Sequence, residues 1–192
     1  MGKGRLEAFS DGVLAIIITI MVLELRPPEG TRLADLGPVF PVFLSYILSF
    51  VYLGIYWSNH HHMLHTIKSV NGPILWANLH LLFWLSLIPF TTAWMGEHRL
   101  AAGPVALYGA NLFMSAVAYT ILSLLLIRHE GPDSLLARAV GRDLKGWASL
   151  GLYATAIAAA YFAPVVSVAI YVAVALIWLV PDRRIERVAG VS

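Results

Sequence analysis

The 192-residue sequence contains no cysteine. That absence excludes disulfide staples, thiolate metal sites and thiol nucleophiles. Charge is scarce as well: Asp, Glu, Lys and Arg make up 12% of the residues against 59% hydrophobic, and mean hydropathy is +0.75. So small a polar fraction lies outside the soluble balance and marks an integral membrane protein, with the lipid bilayer as its first partner. Catalytic signatures are also missing. There is no H-E-x-x-H, no G-x-S-x-G and no phosphate-binding glycine loop, so neither an enzyme activity nor a cofactor is expected. A pI near 9.0 does not point to nucleic acid, because the basic residues fall in short hydrophilic segments between apolar ones, where membrane topology accounts for them.

What the chain has is apolar runs. A hydrocarbon core about 30 Å thick needs about 20 largely apolar residues per helix. Six candidate segments meet or approach that length: 5–25, 38–60, 73–95, 104–127, 144–163 and 165–180. The expected fold is an all-α membrane protein of six transmembrane helices in one domain, residues 1–192. The polar stretch from Arg128 to Asp143 is too short and too weakly patterned to form a soluble domain. Asp11 and the lack of a small-residue cleavage site make the first segment a permanent span. Prolines mark most borders: Pro27 and Pro28 stop the first helix, Pro38 and Pro41 begin the second, Pro73 and Pro104 open the third and fourth, and Pro164 divides the last two. Pro89 lies inside the third and is expected to bend it.

With a cytoplasmic N-terminus, the inner segments hold Lys3, Arg5, Lys68, Arg128, Arg138, Arg142, Lys145, Arg183, Arg184 and Arg187. The outer ones hold Arg26, Arg32 and Arg99. This asymmetry puts both termini inside, which requires an even number of spans.

The first helix divides by face. At about 100° per residue, Ile16, Thr19, Ile20 and Leu23 share one side, while Ser10 and Asp11 project roughly 120° and 140° away from Ile16 on opposite flanks. Lipid contact or helix packing is the ordinary use of such an aliphatic face. Around an axis shared by several subunits, the same residues would form dry constrictions with one ring of hydroxyls. Asp11 with Arg5 reads either as an interfacial ion pair or as part of a structural network.

The second segment ends in His60, His61, His62 and His65. His61 and His65 have the spacing of a metal pair, but no carboxylate or thiol follows at ligand spacing, so an aromatic and histidine belt at the interface is the plainer reading. His80, two positions after Asn78 and within the third segment, needs a partner, for which Asp11 is a candidate. The alternative to a channel is a histidine-ligated membrane metal or haem protein. The absence of charge at the centres of the later helices argues against a proton pump or a carrier of charged solutes.

These residues resemble a known group, the transmembrane protein 175 family of endosomal and lysosomal potassium channels and their prokaryotic relatives. The resemblance rests on Arg5-x-x-x-Phe9-Ser10-Asp11, on Tyr56 to His62, and on Asn78 with Pro89-Phe90-Thr91. It implies a pore built from the first helices of a homotetramer of six-helix subunits, with K+ permeating and no TVGYG filter. It implies Ile16 as the closing residue, Ile20 and Leu23 as further aliphatic rings and Thr19 in selectivity. Arg5, Phe9, Ser10 and Asp11, with Asn78 and His80, are expected to form a supporting network. A prokaryotic plasma membrane location, modest preference for K+ over Na+ and no soluble protein partner are expected with it.

Overall fold

The computed structural model describes residues 2–141 and 143–179. Arg142 and the expected inner residues Arg183, Arg184 and Arg187 lie outside that range. Eight α-helices make up the described chain: α1 (Gly4–Leu23), α2 (Phe40–His65), α3 (Gly72–Ser86), α4 (Ile88–Glu97), α5 (Ala102–Glu130), α6 (Leu135–Val140), α7 (Leu144–Ala159) and α8 (Pro164–Leu179). A 3-10 segment, Leu33–Val39, leads into α2. Four stretches are long and apolar enough to cross a membrane: α1, the 3-10 segment with α2, α3 with α4, and α5. The protein is thus an all-helical membrane protein. At 16 residues each, α7 and α8 rise only about 24 Å.

Local sequence explains the borders. Asn71 caps α3 by accepting from the Ile74 N–H at 3.1 Å, and Pro73 sits in the first turn, where no donor is required. The second helix runs five residues past the expected end at 60, because nothing in the histidine run interrupts it before Thr66. The third segment is broken at Leu87, between α3 and α4, where Pro89 removes a backbone donor. Asn111 of α5 fills the break. In the amide orientation that satisfies its neighbours, it donates to the Trp84 carbonyl at 2.8 Å and accepts from the Ile88 N–H at 3.2 Å. The polar connection before Asp143 contains α6, which Ser134 caps through the Ala137 N–H and which buries Leu136 and Ala139.

The fifth helix is central, packing on α3, α4, α7 and α8, whereas α1 lies to one side against α2, α3 and α4. Hydroxyls buried between helices find partners in the protein. Tyr52 donates to the Tyr171 carbonyl at 2.6 Å, Tyr153 to the Tyr52 oxygen at 3.2 Å and Tyr171 to the Val105 carbonyl at 3.1 Å. Ser49 bridges Thr92 at 2.6 Å and Tyr108 at 3.0 Å. Where helices approach most closely, a side chain would not fit: a Cβ added at Gly96 would lie 2.7 Å from the Val42 Cα. Gly96→Ala is therefore expected to lower stability by about 1–3 kcal/mol, the usual effect of overpacking, because a backbone atom cannot swing aside. Thermal unfolding of the purified variant in detergent checks this, and an unchanged melting temperature would show that the α2–α4 contact is slack.

Candidate functional site

The first helix has two faces of opposite character. Leu6, Ser10, Leu14, Ile17 and Met21 are buried against the rest of the chain. Taking Leu14 as zero, Ile16, Thr19, Ile20 and Leu23 project at about 200°, 140°, 240° and 180°. All four are exposed, with Ile16 59%, Ile20 43% and Leu23 76% accessible. The hydroxyl of Thr19 donates back to the Ile16 carbonyl at 2.9 Å, so its oxygen offers only lone pairs outward. Ile16 and Ile20 of this face also line a groove shared with α3 and α4, whose other walls include Glu24, Ser86, Pro89 and Phe90.

The buried face is held by a continuous polar chain. Ser10 donates to the Leu6 carbonyl at 2.8 Å and accepts from Asn78 Nδ2 at 2.9 Å. Asn78 Oδ1 lies 2.7 Å from His60 Nε2, which therefore carries the proton. Ser10, Asn78 and His60 are all buried, and three helices meet through them. His60 Nδ1, also buried, has no hydrogen-bond partner among the described residues.

A second set of contacts runs along the α1–α2 seam. Lys3, at the N-cap of α1, and Glu7 and Asp11 within it are spaced four apart and meet the end of α2 in antiparallel order. Lys3 Nζ donates to the carbonyls of Leu64 and His65 at 3.1 and 3.0 Å, Glu7 Oε1 lies 3.2 Å from His61 Nδ1, and Asp11 Oδ1 accepts from Trp57 Nε1 at 3.0 Å. Successive rungs thus fall one helical turn apart on both helices.

Not every expected member joins. Ser10 and Asn78 meet as expected, and Asp11 faces α2. His80 does not reach Asp11; its Nε2 accepts from Trp84 Nε1 at 2.9 Å on its own helix. The reason is angular, since residues two apart on a helix point about 200° apart and only one of Asn78 and His80 can face α1. Arg5 is exposed and makes no hydrogen bond or ion pair among the described residues; Phe9 is exposed too. One residue that sequence reasoning missed is His60. It continues the buried stripe of Ser45, Ser49, Tyr52, Tyr56, Met63 and Leu64, whereas its neighbours His61 and His62 fall off that stripe.

Comparisons with known proteins converge. Residues 5–89 match the family model of the endosomal/lysosomal potassium channel TMEM175. A potassium channel of Chryseobacterium sp. (strain P1-3) is 59% identical over 187 residues, covering 97% of both chains. The bovine endosomal/lysosomal proton channel TMEM175 is 28% identical over 74% of this chain and 33% of its own length. Among solved structures, a lysosomal potassium-selective channel TMEM175 homologue from Chamaesiphon minutus superposes with a TM-score of 0.79 at 26% identity, covering 94% of this chain and 97% of that one. These relatives are ion channels and not enzymes, and none of them supports a metal or haem protein. The chain belongs to the TMEM175 family of membrane channels.

Proposed function

We propose that this protein is a potassium channel of the prokaryotic plasma membrane in which four copies place their α1 helices around a common axis. The observation that supports the reading is the division of α1: one face is pinned into its own subunit, and the opposite face presents Ile16, Thr19, Ile20 and Leu23 at the subunit surface. Small residues flank that face. Ala8, Gly12 and Ala15 are exposed, and open space surrounds the position of a Gly12 Cβ, which allows neighbouring α1 helices to approach closely. The short α7 and α8 complete six spans, with both termini cytoplasmic, and each is accommodated by local bilayer thinning.

In this arrangement Ile16, Ile20 and Leu23 form aliphatic rings at successive turns, about 6 and about 4.5 Å apart along the axis. Such rings hold the pore dry and closed, and they oppose conduction through the cost of stripping water from an ion. Thr19 lies between the first two rings and supplies the polar oxygens in that stretch. Its engaged hydroxyl hydrogen leaves lone pairs for a partly dehydrated K+, and a single weak ring of this kind gives a modest preference over Na+. The Ser10–Asn78–His60 chain and the Asp11–Trp57 contact set the angle at which α1 meets the axis.

Gate and support are tested by separate variants. Ile16→Asn is expected to raise passive K+ flux into proteoliposomes by about tenfold, equivalent to lowering the barrier by roughly 1.4 kcal/mol. Unchanged flux through an assembled variant would remove Ile16 from the gate. By contrast, Asn78→Ala leaves both His60 Nε2–H and the Ser10 oxygen without their partner. It is expected to cost about 1–3 kcal/mol, read as a lower melting temperature of the detergent-solubilised oligomer, with the K+ over Na+ preference retained. Asp11→Ala should act in the same direction but less, because its contact is partly exposed. Altered ion preference in an intact Asp11→Ala oligomer would place that carboxylate in the pore.

A further inference from the structure

The outermost part of the α1–α2 seam has the chemistry of a metal site. His61 and His65 lie one turn apart near the end of α2, and their rings stack at 5.9 Å. Along α2 no carboxylate stands at ligand spacing, but α1 supplies one. Glu7 Oε1 approaches His61 Nδ1 to 3.2 Å, and one ligand atom from each of Glu7, His61 and His65 lies within 4.8 Å of the other two. Among the described residues this is the one such grouping, and His80 has no part in it. We propose that Glu7, His61 and His65 bind a borderline divalent transition cation, of which Zn2+ is the best match, and that the bound ion bridges the first turns of α1 to the last turn of α2.

The donor set fits that ion class. Two imidazole nitrogens and one carboxylate oxygen suit Zn2+ far better than Mg2+ or Ca2+, which need all-oxygen shells with more ligands. Tetrahedral zinc with ligands at about 2.0–2.1 Å holds its donor atoms about 3.3 Å apart. The Glu7–His61 pair already has that separation, and the exposed His65 ring can rotate to close the remainder. A fourth position stays open to water. Lys3 is the nearby cation, and its ammonium is drawn to the Leu64 and His65 carbonyls at the helix end. Trp57 stacks on His61 and restricts the ring.

The site does not depend on the channel reading, and the test reads binding rather than flux. Purified full-length protein without a polyhistidine tag is titrated with ZnCl2 by calorimetry in detergent, in parallel with melting curves. The expected result is one saturable Zn2+ per chain, with a melting temperature that rises on zinc addition. His65→Ala and Glu7→Gln should each weaken binding about tenfold or more and abolish the thermal shift, while His62→Ala on the same turn leaves both unchanged. Glu7→Gln preserves shape, so its effect cannot be ascribed to misfolding when the variant elutes as the wild type does. Absence of saturable binding, one ion per oligomer, or loss with His62→Ala but not with His65→Ala would overturn the proposal.

Discussion

Hydrocarbon offers no hydrogen bonds, so polar groups carried into the membrane are held to partners within the same protein, His60 Nδ1 being the exception among the described residues. That constraint organises this fold more than apolar contact does, because lipid tails are as greasy as leucine and supply little drive for helices to associate. The polar side chains are accordingly found where helices cross. Tyr52, Tyr153 and Tyr171 tie α2, α7, α8 and α5 together, Ser49 joins α2 to α4 and α5, and Asn111 mends the break that Pro89 leaves between α3 and α4. Each junction also fixes register. A slide of one residue along either helix would rotate the donor about 100° from its acceptor.

The same constraint explains why α1 is a specified element rather than a greasy rod. Its own apolar residues would pack at many rotations. Ser10 admits only one, because its hydroxyl must serve both the Leu6 carbonyl and Asn78, and Asn78 is in turn committed to His60. The Lys3, Glu7 and Asp11 contacts to α2 repeat the specification at the helix entrance, where water competes and each contact is individually weak. Deep anchoring sets the rotation of α1 and shallow anchoring holds its end against α2. The far side, with Ile16, Thr19, Ile20 and Leu23, stays exposed at the subunit surface.

How much of this could be read from the sequence follows from range. Helix existence depends on local composition, and the six expected runs correspond to α1, α2, the α3–α4 pair, α5, α7 and α8. Proline positions gave the borders and the interruption near Pro89 for the same local reason. The two faces of α1 also followed from its own periodicity. Contacts between helices were harder, since they depend on which rotation each helix adopts. Asn78 and His80 are equally polar and only two positions apart, and nothing in α3 alone says which of them faces α1. His60 could have been found by extending the Ser45, Ser49, Tyr52 and Tyr56 spacing by one more turn. Glu7, separated from His61 by the whole of the intervening connection and most of α2, gave no spacing signal at all.

The state of the Thr19 hydroxyl carries the chemistry of the proposed pore one step further. A free hydroxyl is both donor and acceptor and would greet cations and anions alike. Here the proton is committed to the Ile16 carbonyl one turn back, and the group is left as an acceptor facing outward. Four such oxygens around an axis favour cations without carrying any charge, so they neither bind an ion tightly enough to hold it nor require a buried carboxylate. Weak coordination between aliphatic rings suits conduction, because the ion must leave as readily as it enters. The carbonyl that accepts this bond belongs to Ile16, the residue of the first ring. In the proposed pore, the side chains that would constrict and coordinate are thus coupled through one backbone unit, and a rotation of α1 would move both together.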